Sequence, residues 1–129
     1  MEMYQEIILD HYKNPRNSGE ISDADFIGED VNPLCGDKVK VFLKIKDDVV
    51  VDMKHVGEGC AISRAATSML SEEIIGKSLE DVGKISNENI FEMLGVPISP
   101  ARVKCALLGV SAVRMGKGEC ASREIRNEK

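Results

Sequence analysis

The chain has 129 residues, a formal net charge of −5 and no Trp. That length buries about two-thirds of the unfolded surface, so a core forms without disulfide staples. The acidic balance argues against a phosphate-neutralising face, no apolar run approaches the ~20 residues of a membrane span, and the few aromatics make a base-stacking platform improbable. No nucleic-acid or membrane partner is expected.

The opening Met1-Glu2-Met3-Tyr4-Gln5-Glu6 carries two acids and no basic stretch, unlike a signal peptide. A cytoplasmic protein with reduced thiols is expected, and four cysteines there read as metal or redox chemistry. Ile7, Ile8 and Tyr12 predict a helix over about Tyr4 to Lys13, ended by Asn14-Pro15-Arg16-Asn17-Ser18-Gly19. Asp23 to Gly28 carries a weak strand signal. Lys38 to Ile45 alternates, with Val39, Val41, Leu43 and Ile45 on one face. Asp47-Asp48 reads as a turn, and Val49 to Val56 as the returning antiparallel strand.

The pattern then changes to helix, over Ala61 to Ile75 with a stop at Gly76, and over short stretches at Leu79 to Ile85 and Asn87 to Leu94. Ser99 as N-cap and Pro100 at the first helical position open a last helix to about Met115. The charged remainder reads as a partly ordered tail after about Gly116. Strands first and helices afterwards predict an α+β fold, a small antiparallel sheet of about three strands packed with N-terminal and C-terminal helices, in one domain over 1–129.

Cys35, in Asn32-Pro33-Leu34-Cys35-Gly36-Asp37, precedes the first clear strand. Cys60, in Gly57-Glu58-Gly59-Cys60, follows its hairpin partner. Antiparallel pairing sets the start of one strand beside the end of the other, so these two cysteines become neighbours. Cys60 falls at the start of a helix, where free N–H groups and the dipole favour a thiolate, and its glycines permit close approach to the backbone. Asp37 lies two residues beyond Cys35, on the same side of an extended segment. It reads either as a hard ligand beside soft thiols or as a polar turn residue with little core burial. Cys105 stands in the first turns of the last helix, off the stripe made by Val103, Leu107 and Val110 but on a side shared by Ala101, Leu108 and Ala112 that allows partial burial, with Arg102 and Lys104 supplying positive charge. Three thiols and a carboxylate suffice for a tetrahedral zinc or a small iron cluster. Cys120 has no partner at ligand spacing and reads as incidental. His11 and His55 read as core or surface residues before ligands.

The three cysteine motifs, with Asp10-His11-Tyr12-Lys13-Asn14-Pro15-Arg16-Asn17, resemble the IscU/NifU-type iron–sulfur cluster assembly scaffolds over roughly Tyr4 to Gly116. The resemblance implies an IscU/SufE-like fold and a labile 2Fe–2S cluster held by Cys35, Asp37, Cys60 and Cys105. It implies a cysteine desulfurase as sulfur donor, recipient apo-proteins and room for a homodimer around the cluster, with Cys35, Cys60 and Cys105 as persulfide acceptors. In housekeeping IscU proteins a histidine precedes the third cysteine; Lys104 stands there, which gives Asp37 the weight as fourth ligand. Lys104 and Gly59-Cys60-Ala61-Ile62-Ser63 are closer to the SufU branch, which implies zinc in place of the cluster and, as an alternative function, a zinc-dependent sulfurtransferase carrying persulfide. SufU proteins carry an extra segment between the second and third cysteines, for which the 44 residues separating Cys60 from Cys105 leave no room. Ser99-Pro100-Ala101-Arg102-Val103-Lys104 lacks the paired prolines of the chaperone motif, which argues against an Hsp70-type partner. No further cluster domain is expected, so a multidomain NifU is not. A structural zinc ribbon would need Cys-x-x-Cys pairs, which are missing.

Overall fold

The computed structural model describes residues 2–33, 36–95 and 97–114. In chain order these form helix α1 (Glu2–Lys13), strands β1 (Phe26–Asn32), β2 (Asp37–Lys46) and β3 (Val49–Glu58), then helices α2 (Ala61–Ile74), α3 (Leu79–Gly83) and α4 (Asn87–Leu94). A 3-10 turn at Pro100–Arg102 leads into α5 (Val103–Arg114). The α+β class is as expected. The strands make one antiparallel sheet in the order β1-β2-β3.

The alternating pattern of β2 dictates which side of the sheet is covered. Val39, Val41 and Leu43 point inward with Phe26 of β1 and Val50 and Met53 of β3, all almost fully buried. Against them pack Ala65, Ala66, Leu70 and Ile74 of α2 and Ala106, Leu108, Val110 and Val113 of α5. Ile45, opposite the buried Val50, also packs against this core and is only partly buried where the register shifts between Lys44 and Ile45. Asp47 and Asp48 both take positive φ (54° and 63°), the mirror-image turn that matches the twist of a two-residue hairpin.

The first strand lies later than the sequence suggests. Asp23 to Asp25 serve its approach instead: Asp23 pairs with Lys44 at 3.1 Å, and the Asp25 carboxylate accepts the Ile45 N–H at 2.8 Å. Carboxylates spent on these local contacts stand ahead of the ladder, which begins at Phe26 opposite Leu43. The last helix opens with the 3-10 turn, and Ser99 makes no side-chain cap bond. The short helices are capped by Ser78 and by a reciprocal Ser86–Asn89 box.

Both histidines hold the exit of α1. His11 Nδ1 lies 2.7 Å from Ser68 Oγ on α2, which also accepts the Arg16 N–H at 2.9 Å. His55 Nε2 donates to the Arg16 carbonyl at 2.8 Å, while its backbone bonds to Asn17 and Gly19. Each is buried, and burial lowers each imidazole below its ordinary pKa.

Candidate metal centre

Three elements meet at one end of the sheet. Asp37 opens β2 directly opposite Asn32, the last residue of β1. On its other side β2 pairs Lys38 with Glu58, so the end of β3 and the Gly59-Cys60 junction lie beside Asp37. The antiparallel return of β3 along β2 read from the sequence is therefore observed. Cys35 and Cys120 lie outside the described residues, as does the tail after about Gly116.

Asp37 faces inward in phase with Val39 and Val41 and is only 2% exposed, so it is a core-side residue and not the solvated turn residue its type suggests. Its Oδ1 accepts the Cys60 backbone N–H at 3.2 Å, satisfying a donor at the start of α2. Its Oδ2 lies 3.7 Å from Cys60 Sγ. Gly59, at φ +147°, makes this approach feasible: a Cβ there would sit 2.5 Å from Asp37 Oδ1 and 2.9 Å from Ser63 Oγ. Cys60 is the N-cap residue of α2 and is half-buried.

Cys105 reaches the same point from α5. It is fully buried, beyond the partial burial that a side shared with Leu108 and Ala112 allowed. The physical reason is that α5 is enclosed by β1, β2, α2 and α4, leaving open mainly the side that carries Lys104, Leu107, Ser111 and Arg114. Leu107 is thereby left partly open while Cys105 is covered. Burial first, then hydrogen bonding with Asp37 and Cys60, pushes the Cys105 thiol well above the usual cysteine range. The positive charge expected to lower it is absent from this balance, since Lys104 and Arg102 are both exposed.

The ligand atoms of Asp37, Cys60 and Cys105 all lie within 4.8 Å of one another. Zn–S bonds of about 2.3 Å in tetrahedral geometry separate ligand atoms by about 4 Å, so two thiols and a carboxylate at this spacing fit a divalent metal. Such an ion displaces thiol protons outright and offsets the burial of the acidic groups. His11 and His55 are engaged at the α1 exit. Lys104 is exposed beside the site. Sequence reading missed a fourth contributor, Asn32, whose Nδ2 donates to Cys105 Sγ at 3.8 Å. The signal was strand parity: a ladder partner of Asp37 shares its face, but a strand placed too early hid the pairing.

A model of the NifU-like N-terminal domain matches residues 3–126. The zinc-dependent sulfurtransferase SufU of Bacillus subtilis is 37% identical over 131 aligned positions, covering 88% of this chain and 88% of that protein. The iron–sulfur cluster assembly scaffold protein IscU 1 of Archaeoglobus fulgidus is 38% identical over 112 positions, covering 87% of this chain and 72% of that protein. Among solved structures, a candidate iron–sulfur cluster assembly scaffold for the SUF system from Fervidobacterium islandicum superimposes with a TM-score of 0.75 at 32% identity, covering 87% of this chain and 94% of that one.

Proposed function

This chain belongs to the NifU-like N-terminal domain family, and on that premise we propose that it is a scaffold on which a labile 2Fe–2S cluster is assembled from iron and desulfurase-derived sulfur and then passed to apo-proteins. The observation that carries the reading is the convergence of Asp37, Cys60 and Cys105 within 4.8 Å from three separate parts of the chain. Cys35 joins them as the fourth ligand. The cluster is cargo, and a mixed set of thiolates and one carboxylate suits cargo. A carboxylate protonates and exchanges more readily than a thiolate, so Asp37 is the ligand that lets go.

Sulfur reaches the site on a cysteine desulfurase. A scaffold thiolate attacks the terminal sulfur of the donor's persulfide; the new S–S bond forms as the old one breaks, and the donor cysteine leaves as thiolate. Of the two described cysteines, Cys60 is the acceptor, because it is half-exposed and flanked by the exposed Gly59, whereas Cys105 is sealed in the core. Turning the persulfide into cluster sulfide consumes two electrons from an external reductant. The Gly59-Cys60 side of the centre, the part open to solvent, serves recipient apo-proteins or a second copy of the chain around the cluster. Among the described residues no helix is long and apolar enough to cross a membrane, and we assign the cytoplasm, where these thiols stay reduced.

A second reading, zinc-dependent sulfur relay without cluster assembly, is favoured by the SufU similarity and by Lys104. Against it stands the alignment itself. The match to the B. subtilis protein needs 131 positions to cover 88% of this chain, so that protein carries residues with no counterpart here. The A. fulgidus match covers nearly the same share in 112. Anaerobic purification with metal and sulfide analysis separates the two. Iron and acid-labile sulfide in equal amounts is the expected result; stoichiometric zinc without sulfide, retained after offering iron, sulfur donor and reductant, rejects the scaffold.

A further inference from the structure

We infer that Asn32 is the positioning residue of this centre: its side-chain amide donates to Cys105 Sγ, holding that sulfur toward Asp37 and Cys60 and drawing charge from it when a metal is bound. This rests on the metal-binding part of the reading above and adds the residue that tunes it.

Asn32 and Asp37 are opposed in the β1–β2 ladder, so their side chains leave the sheet on the same face. Both are buried, Asn32 at 5% exposure. An amide on an inward face costs free energy unless its polar atoms are bonded, and an aliphatic residue of that size would fill the space without the cost. The Asn32 Nδ2–H is directed at Cys105, 73 residues away in sequence, across 3.8 Å. At the backbone, the Asn32 carbonyl accepts the Gly36 N–H at 2.8 Å. One residue thus links Gly36, the neighbour of Asp37, to the Cys105 helix.

A donor to a ligating sulfur acts in two ways. It restricts where the sulfur points, and it takes up part of the thiolate charge that an ion would otherwise have to neutralise alone. Cys105 is the most deeply buried of the described ligands, with little water to do either job.

The test uses the full chain with NMR-active cadmium as probe metal. In the unmutated protein the Asn32 side-chain amide proton should show scalar coupling to cadmium, transmitted through the hydrogen bond and the Cys105 sulfur; spatial proximity alone produces none. Asn32→Leu, which keeps the volume and removes the donor, should lower cadmium affinity about 10- to 100-fold with an unchanged far-UV circular dichroism spectrum. Absence of the coupling overturns the inference whether or not the variant folds, and so does a folded Asn32→Leu that binds cadmium like its parent. If the unmutated chain binds no cadmium, the metal-binding reading fails and takes this inference with it. If it binds cadmium while Asn32 is silent, this inference alone fails.

Discussion

Asp37 has two jobs that separate under substitution. As acceptor for the Cys60 N–H it caps the start of α2, and in the proposed centre it supplies the carboxylate ligand. Asp37→Asn keeps an oxygen for the cap and should unfold within about 0.5 kcal/mol of the parent, whereas Asp37→Ala leaves that N–H unpaired beside a void and should cost about 1 to 2 kcal/mol. Both remove the anionic ligand, so both should weaken zinc affinity in competition with a chromophoric chelator; parental affinity in both would make Asp37 a cap and nothing more. The residue type and its neighbours mark Asp37 as a candidate, but its burial was not legible, because burial depends on β1 and α5 closing over it. The histidines carry a second prediction. His55 Nε2 faces a carbonyl, which can only accept, so the neutral ring carries its proton there. Burial lowers the folded pKa of His55 and His11 below the unfolded value of about 6.5. Their contribution to stability is therefore present above about pH 6.5 and is lost as pH falls toward the depressed folded values. Thermal unfolding should show a loss on the order of 1 kcal/mol between about pH 7.5 and 5.5, and His55→Gln, which retains a donor to Arg16, should flatten part of it. An unchanged slope in that variant would remove His55 from the account.

At the scale of elements, the separation between α2 and α5 is set by one glycine. A Cβ on Gly109 would lie 2.5 Å from Thr67 Oγ1, which is itself held to the Ser63 carbonyl at 2.8 Å and has nowhere to move. Cys105 stands one turn before Gly109 on the same side of α5, and Cys60 begins α2, so this contact spaces the two thiols. Gly109→Ala should cost about 1 to 3 kcal/mol as α5 is forced outward. It should also weaken metal binding although it touches no ligand, measured by zinc competition on the folded variant. Loss of stability with parental affinity would show that the thiols are placed independently of this contact. Such close packing explains what periodicity could and could not reveal. β2 and β3 were legible because one covered face imposes a strict alternation of two. The α5 helix was legible from its Pro100 start, but its covered side was not, because contact on several sides leaves no single apolar stripe: Val103 and Leu107 are partly open while Cys105 and Gly109 are covered. The bounds of β1 were not legible because Asp23 and Asp25 bond locally ahead of the ladder, while the ladder itself runs through the polar Glu29 and Asp30 to Asn32.

For the molecule as a whole, the centre joins parts of the chain that are otherwise far apart in sequence. Asp37, Cys60 and Cys105 come from β2, the β3–α2 junction and α5, and the unfolded chain cannot present them together. An ion bound only by the folded form stabilises it by mass action, by about 2.7 kcal/mol at a free concentration 100-fold above Kd. For a chain of this length that corresponds to a rise in Tm of roughly 10 °C. The rise should grow with the logarithm of zinc concentration, and it should vanish in Cys60→Ser and Cys105→Ala, whose metal-free stabilities set the baseline. The two variants should differ in that baseline. Cys105 is fully buried among Asn32, Asp37 and Cys60, so its truncation opens a cavity and should cost stability even without metal, on the order of 1 kcal/mol. Cys60 is half-exposed, and Cys60→Ser should leave the metal-free protein within about 0.5 kcal/mol of the parent. Calorimetry at several zinc concentrations checks all three statements. A Tm independent of zinc in the parent, or one that still rises in Cys60→Ser and Cys105→Ala, would mean that stabilising metal binds elsewhere and that the convergence of these residues is a feature of packing alone.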